Sequence, residues 1–503
     1  MFSRRTSYKH RHRLVAMGDS MSQGFKNGGI YRTDLSFPAL LARTFDPPIE
    51  FEKPSFTAHT GIPLNIEMLV RGMADEFGDE ISWNQYLKAG THLYKTLRRI
   101  KNHWEGQNRS LRVERQTPYQ NQSVWGFSNS DSWLMNEKYS KEYIQNNAPR
   151  YTVFNVLPDH AMHITARMVL NPSFSPQFEN HSMIDNVRWL HENGGIENLI
   201  SCIGHNNIIG AVTNLKITYS EEHDLNAPQW ERTCTVFRPE HFEDETRILY
   251  QKISQIGVER VFVPTIPYVT IPPATRGVNY DKSKPRVGYF DYYSRFWIWD
   301  EDFDPDKHPH LTKEEAITLD QHVDQYNAII SELADEFGFH VVPIGRYVQA
   351  AARRRMGAEN VRPFPEELIK ELKNNEHTSY LVDENGQPRL STDYLRLSDD
   401  SGKVDRGGIF SLDGLHPSTI GYGLIANIYK QFMEKEGVHF GKEIDWKYII
   451  ENETLITDPP LLLNDLRLLL RFLAMSRGER FTKIGSNILQ QVLELFSARP
   501  ELD

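Results

Sequence analysis

Two short stretches, almost four hundred residues apart, carry the residue types that an activated hydroxyl needs. One is Leu14-Val15-Ala16-Met17-Gly18-Asp19-Ser20-Met21-Ser22-Gln23-Gly24, an apolar run that ends in a small, polar, glycine-bounded turn. The other is Asp413-Gly414-Leu415-His416-Pro417-Ser418. A serine hydroxyl is a poor nucleophile until a base removes its proton, and the base needs a group that orients it and stabilises its cation. Ser20 offers the hydroxyl, and Asp413-x-x-His416 offers orienter and base within one turn of chain. Charge developing on an attacked oxygen needs donors already in place, such as a backbone N–H at a glycine and a side-chain amide. Gly126 and Asn206 answer that need by type. Alone, Gly-Asp-Ser also reads as an ordinary strand-to-helix connection with an N-cap.

These groups act together only if the fold carries them to one edge. Residues 14–18 read as a buried strand, and 119–128 as an extended segment that opens into a loop at Gly126. Further strands are expected at 152–157, at 198–203 leading into Gly204-His205-Asn206-Asn207, at 261–263 and at 340–342. Helices are expected between them, at 35–45, from Ile62-Pro63-Leu64 onward with Pro63 in the first turn, at 83–105, at 182–192 and at 239–255. Thr312 and Glu315 form a capping-box pattern before apolar residues at Val323, Tyr326, Ile330, Leu333 and Phe337, spaced as on one helix face. Strands alternating with helices indicate a parallel sheet covered on both faces. Right-handed crossovers then bring the strand carboxyl ends, with Ser20, Gly204 to Asn206 and Gly126, to one edge.

Composition narrows the functional classes. At 39% apolar and 25% charged residues, the 503-residue chain has the makeup of a soluble globular protein. A net charge of -10 and the lack of a basic stripe argue against nucleic acid as a partner. Cys202 and Cys234 lie in no Cys-x-x-Cys pair, so neither a disulfide framework nor a zinc motif is indicated. No secretory signal, transmembrane run or internal repeat is read, and a cytoplasmic location is expected. The sequons at Asn108, Asn121 and Asn452 are chance matches on that reading.

The motifs resemble those of the SGNH, or GDSL, hydrolase superfamily of esterases and lipases. Gly18 to Gly24 resembles its first block, with Met21 where Leu is commoner; Asn121-x-x-Val124-x-Gly126-x-Ser128 resembles the second, Gly204-x-Asn206 the third and Asp413 to Ser418 the fifth. All four occur in the family's order. The resemblance implies Ser20 as nucleophile, His416 as base and Asp413 as its partner, with the Ser20 N–H, Gly126 and Asn206 as oxyanion hole. It implies a flavodoxin-like three-layer α/β/α sandwich over 12–435, with insertions at about 25–118 and 270–312, and a helical C-terminal extension at 436–503. The implied activity is serine ester hydrolysis through an acyl-enzyme on a small-molecule, lipid or glycan ester, without cofactor or metal. Acyl transfer, carbohydrate O-acetyl ester hydrolysis on the same site, and a catalytically silent binding protein stand as alternatives. Asn207 follows Asn206 where the family often has Asp, which leaves the register of the third block open by one residue.

Other patterns are weighed by what they lack. Seven aromatics between Tyr289 and Trp299 read first as a packed insertion with its own small core, and second as a sugar-stacking surface or pocket wall. Asp302, Asp304 and Asp306 alternate like the start of a calcium loop, but Lys313 stands where the bidentate Glu is needed. The pairs His10/His12 and His308/His310 lack further ligands at metal spacing and read as surface residues. From 440 onward the chain reads as helical, and Leu463, Leu466, Leu470 and Leu473 form a stripe that suits packing better than a membrane interface.

Overall fold

The computed structural model describes residues 10–56, 60–106, 111–151, 155–279, 288–296, 298, 303–352 and 364–465. Its centre is a four-stranded parallel sheet of β1 (Val15–Gly18), β2 (Asn198–Cys202), β3 (Arg260–Pro264) and β4 (His340–Val342), in that spatial order. Strands buried on both faces read as continuous apolar runs, and Val15, Ala16, Met17, Leu199 and Ile200 are fully buried. Beyond β1 the segment 120–124 runs parallel to it. Ala16 N–H donates to Gln120 O at 2.8 Å, and Gln122 and Val124 N–H donate to Ala16 O and Gly18 O at 2.8 and 3.0 Å. Counted in chain order with this segment second, the arrangement is 2-1-3-4-5, and ligands of such sheets sit where the order reverses, at the end of the first strand.

Helices cover both faces. On one side Pro239–Ser254 packs against Lys313–Phe337, with Phe242 stacked on Tyr326 at 3.9 Å between ring centres. The Thr312/Glu315 capping box starts the latter helix and Gly338 ends it, in the left-handed conformation. On another side Thr419–Lys435 packs against Phe37–Ala42, with Phe37 stacked on Tyr429. The C-terminal part, with helices Trp446–Glu451 and Thr454–Thr457, buries Trp446, Ile449, Ile450 and Ile456 in the same core.

Several local expectations are corrected. Ile62–Pro63 does not open a helix; it pairs antiparallel with Gly29–Ile30, and the helix Ile66–Phe77 begins after Asn65, whose side chain accepts from Met68 N–H at 3.2 Å. An Asn that can satisfy an orphan N–H makes the stronger start signal than a proline in the first turn. The strand expected at 152–157 is absent at 155–157, and 152–154 fall outside the described residues. The stripe beginning at Leu463 is a 3-10 turn as far as Asp465 (Leu461–Asp465), and the remainder of the expected C-terminal helices lies outside the described residues.

The aromatic stretch builds an antiparallel sheet of Thr275–Val278, Tyr292–Arg295 and His310–Thr312. Val278, Ile298 and Phe303 form a small core of their own beside it, as a packed insertion requires. His12 is not on the surface: it is buried, with Nδ1 3.1 Å from Gln120 Nε2. Among the described residues no helix is long and apolar enough to cross a membrane.

Candidate functional site

The end of β1 is shaped by one close approach. A Cβ on Gly18, whose φ is +153°, would come within 2.0 Å of the Cys202 carbonyl oxygen, so only glycine lets β1 lie this near β2. The chain then turns through Asp19, whose carboxylate accepts from Met21 N–H at 3.0 Å and caps the short helix Ser20–Gln23. The Asp19 cap thus also fixes where the Ser20 side chain begins. Ser20 is the helix's first residue, and its own N–H has no acceptor among the described residues.

Ser20 Oγ lies 2.9 Å from His416 Nε2, across 396 residues of sequence. On the other side of the imidazole, Nδ1 stands 3.3 Å from Asp413 Oδ2, at ion-pair distance but not aligned as a hydrogen bond. Asp413 is held firmly. Its Oδ1 accepts from Leu415 and His416 N–H, both at 2.8 Å, and its Oδ2 from Gly28 N–H at 3.0 Å. Burial pushes the Asp413 carboxyl up, but the His416 imidazole and the His416 and Gly28 N–H donors outweigh it and leave the group below its ordinary value. The Phe25 ring packs on the imidazole at 4.4 Å between ring centres.

Gly126 and Asn206 open onto the same cleft as Ser20, Asp413 and His416. Gly126 has φ +82°, a left-handed conformation that favours glycine, and its N–H has no acceptor among the described residues. The segment that carries it is anchored to the helix that begins at Ser20, where Trp125 N–H donates to Gln23 Oε1 at 2.8 Å and Ser22 Oγ meets Ser123 Oγ at 2.7 Å. Asn206 Nδ2 donates to Phe127 O at 2.7 Å, which uses one of the amide's two hydrogens and leaves the second for a ligand.

Asn207 turns away from the cleft. Its side chain reaches Glu245 Oε2 at 3.4 Å and Asn129 N at 3.5 Å, so it supports the core. Of the two adjacent asparagines, Asn206 is the one in the cleft.

Two groups escaped the sequence reading. Asn27 and Gly28 clasp the Asp413 loop: Asn27 N–H donates to Ser411 Oγ at 3.0 Å, and Leu412 N–H to Asn27 Oδ1 at 2.9 Å. Asn27-Gly28-Gly29 is legible as a turn, but nothing local names its partner. His205 lines the cleft and brings Nδ1 to 2.9 Å from Asp19 Oδ2, tying the Asn206 turn to the Asp19-Ser20 turn. The signal available was a histidine inside a Gly-x-Asn turn.

Among the described residues one trio, Asp19, Cys202 and His205, brings possible metal-ligand atoms within 4.8 Å of one another. Both Asp19 oxygens already accept hydrogen bonds or meet His205, and burial pushes the Cys202 thiol well up, so this set is closed by its own contacts rather than built around an ion.

The cleft has a volume of about 650 Å³, and its lining reaches well beyond Ser20 and His416. Met162, Asp159, His163, Gln229 and Trp230 are part of that lining. There His163 stacks on Tyr143 at 3.9 Å, and burial, aided by nearby His160, lowers its imidazole to about 3, which keeps it neutral near pH 7. Arg295 and Phe296 reach the wall from the aromatic insertion, and Arg295 donates through Nη1 to Thr213 O. Burial lowers the Arg295 guanidinium to about 10. No protein-family model matches the chain, and no curated protein matches it.

Proposed function

We propose that the chain is a serine ester hydrolase of the kind its motifs resemble, with Ser20, His416 and Asp413 as nucleophile, base and orienting carboxylate. The observation that carries this reading is the 2.9 Å contact between Ser20 Oγ and His416 Nε2, with Asp413 behind the imidazole. His416 takes the Ser20 proton as Oγ bonds to the ester carbonyl carbon, and the carbonyl oxygen gains the negative charge. The Ser20 and Gly126 N–H groups and the free hydrogen of the Asn206 amide are the donors for that oxygen. The bond from carbon to the alcohol oxygen then breaks, and His416 gives its proton to the departing alcohol. Water repeats the sequence on the acyl-enzyme: His416 accepts its proton, the hydroxide oxygen bonds to carbon, and Ser20 leaves with the proton returned to it.

The direct test is covalent labelling. A fluorophosphonate is expected to modify one residue per chain, Ser20, in step with loss of activity on an aryl acetate, and EDTA is expected to leave that activity unchanged. Inhibition by EDTA that zinc reverses would instead direct attention to Asp19, Cys202 and His205.

The oxyanion assignment carries its own prediction. Asn206→Ala is expected to lower kcat by about 10²- to 10³-fold with little change in KM, because the amide bond strengthens chiefly in the transition state. Asn207→Ala is expected to spare kcat and to lower stability by about 1 kcal/mol through its lost contacts to Glu245 and Asn129. Steady-state kinetics and thermal melts on the two variants separate these outcomes, and the reverse ranking would shift the oxyanion donor to Asn207.

A further inference from the structure

Two helices contribute apolar faces to the lining of the cleft. Ile344–Ala352 starts just after β4 and presents Ile344, Tyr347, Val348 and Ala351 to the cavity. Thr419–Lys435 starts just after His416 and presents Gly421, Leu424, Ile425 and Ile428. Both sets follow the spacing i, i+3, i+4, i+7, so each is one helix face, and neither contributes a charged group. On the second helix the opposite face is sealed, with Tyr422, Ala426 and Tyr429 at 0% exposure, while Leu424, Ile425 and Ile428 keep 6–8%. Those three side chains border open space inside the fold. Seven residues of helix span roughly 10 Å, which sets the length of the slot.

We infer that this slot receives the aliphatic acyl chain of the substrate, an inference that rests on the reading of Ser20 as nucleophile. The slot is continuous with Ser20 and His416 in a single cavity, so a chain lying in it is attached to the carbonyl that Ser20 attacks. Asp159, His163 and Gln229, elsewhere in the lining, offer polar rather than apolar neighbours, which suit an aliphatic chain less well than the two helix faces. The substrate class is therefore an ester of a medium- or long-chain fatty acid, rather than an acetylated glycan.

The test is a series of aryl esters from acetyl through butyryl and octanoyl to hexadecanoyl, on the full chain. Between butyryl and octanoyl, kcat/KM is expected to rise roughly fourfold per methylene, and to level off once the chain outgrows the slot. Ala351→Phe and, separately, Val348→Trp are expected to lower kcat/KM for the octanoyl ester at least thirtyfold more than for the acetyl ester. The wild-type series needs no variant, so a variant that fails to fold leaves the test intact. An acetyl ester preferred by wild type, or filled-slot variants with an unchanged chain-length profile, overturns the slot while Ser20-dependent hydrolysis of the acetyl ester upholds the hydrolase. No Ser20-dependent cleavage of any ester in the series overturns both.

Discussion

Ser20→Ala and His416→Ala are each expected to lower ester turnover by about 10⁴-fold or more, and the double variant to be no slower than the worse single one. Nucleophile and base act as one unit, so removing either leaves only binding and the oxyanion donors. The fold should not notice the first change. Among the described residues Ser20 Oγ meets a hydrogen-bonding partner only in His416, whereas the turn is held by the Asp19 cap on Met21 and by Asp19 N–H on the Cys202 carbonyl. A melting temperature within about 2 °C of wild type is the expected companion result, as for substitutions that touch no packing or buried network. Single-turnover kinetics beside melts would check both. A folded Ser20→Ala protein with wild-type turnover would remove the serine mechanism.

What could be read in the sequence, and what could not, follows from the range of each interaction. β1 was legible because a strand buried on both faces must be apolar at every position, and Leu14 to Met17 is. The helix after Thr312 was legible because its start signal and its apolar face both lie within one stretch of chain. The Ile62–Pro63 pairing was not, since its partner Gly29–Ile30 carries no strand signal and proline is as much at home in a helix's first turn. The segment 120–124 was legible as extended but not as the sheet's outer neighbour of β1. Within the site, residue types named Ser20, Asp413 and His416, and the cleft gathers them with Gly126 and Asn206. Chain order could not reveal that Asn27 holds Leu412, 385 residues away, or that His205 meets Asp19, 186 residues away. Such pairings depend on which turns share an edge, and that is a property of the sheet order.

Asp413→Asn is expected to lower turnover by about 10⁴-fold and, unlike Ser20→Ala, to lower the melting temperature as well. The carboxylate accepts three backbone hydrogen bonds through two oxygens, from Leu415 and His416 on one and Gly28 on the other. An amide has one acceptor oxygen, so in either orientation its NH₂ confronts a backbone N–H, a mismatch that costs about 1–3 kcal/mol. The same amide group faces His416 Nδ1 in one of those orientations, which favours the wrong imidazole tautomer for a base at Nε2. The pH dependence has a definite sign. Because the folded Asp413 carboxyl lies below its ordinary value, the unfolded chain binds its proton first as pH falls, and the stabilisation is fully present above the unfolded carboxylate value of about 3.9. It is lost as pH drops through the lower folded value. Urea titrations of wild type and Asp413→Asn should therefore differ most near pH 7 and converge as pH falls from the unfolded carboxylate value through the lower folded one, since only wild type has this proton to gain. Equal stabilities at pH 7, or turnover close to wild type, would show that Asp413 neither holds the loop nor orients His416.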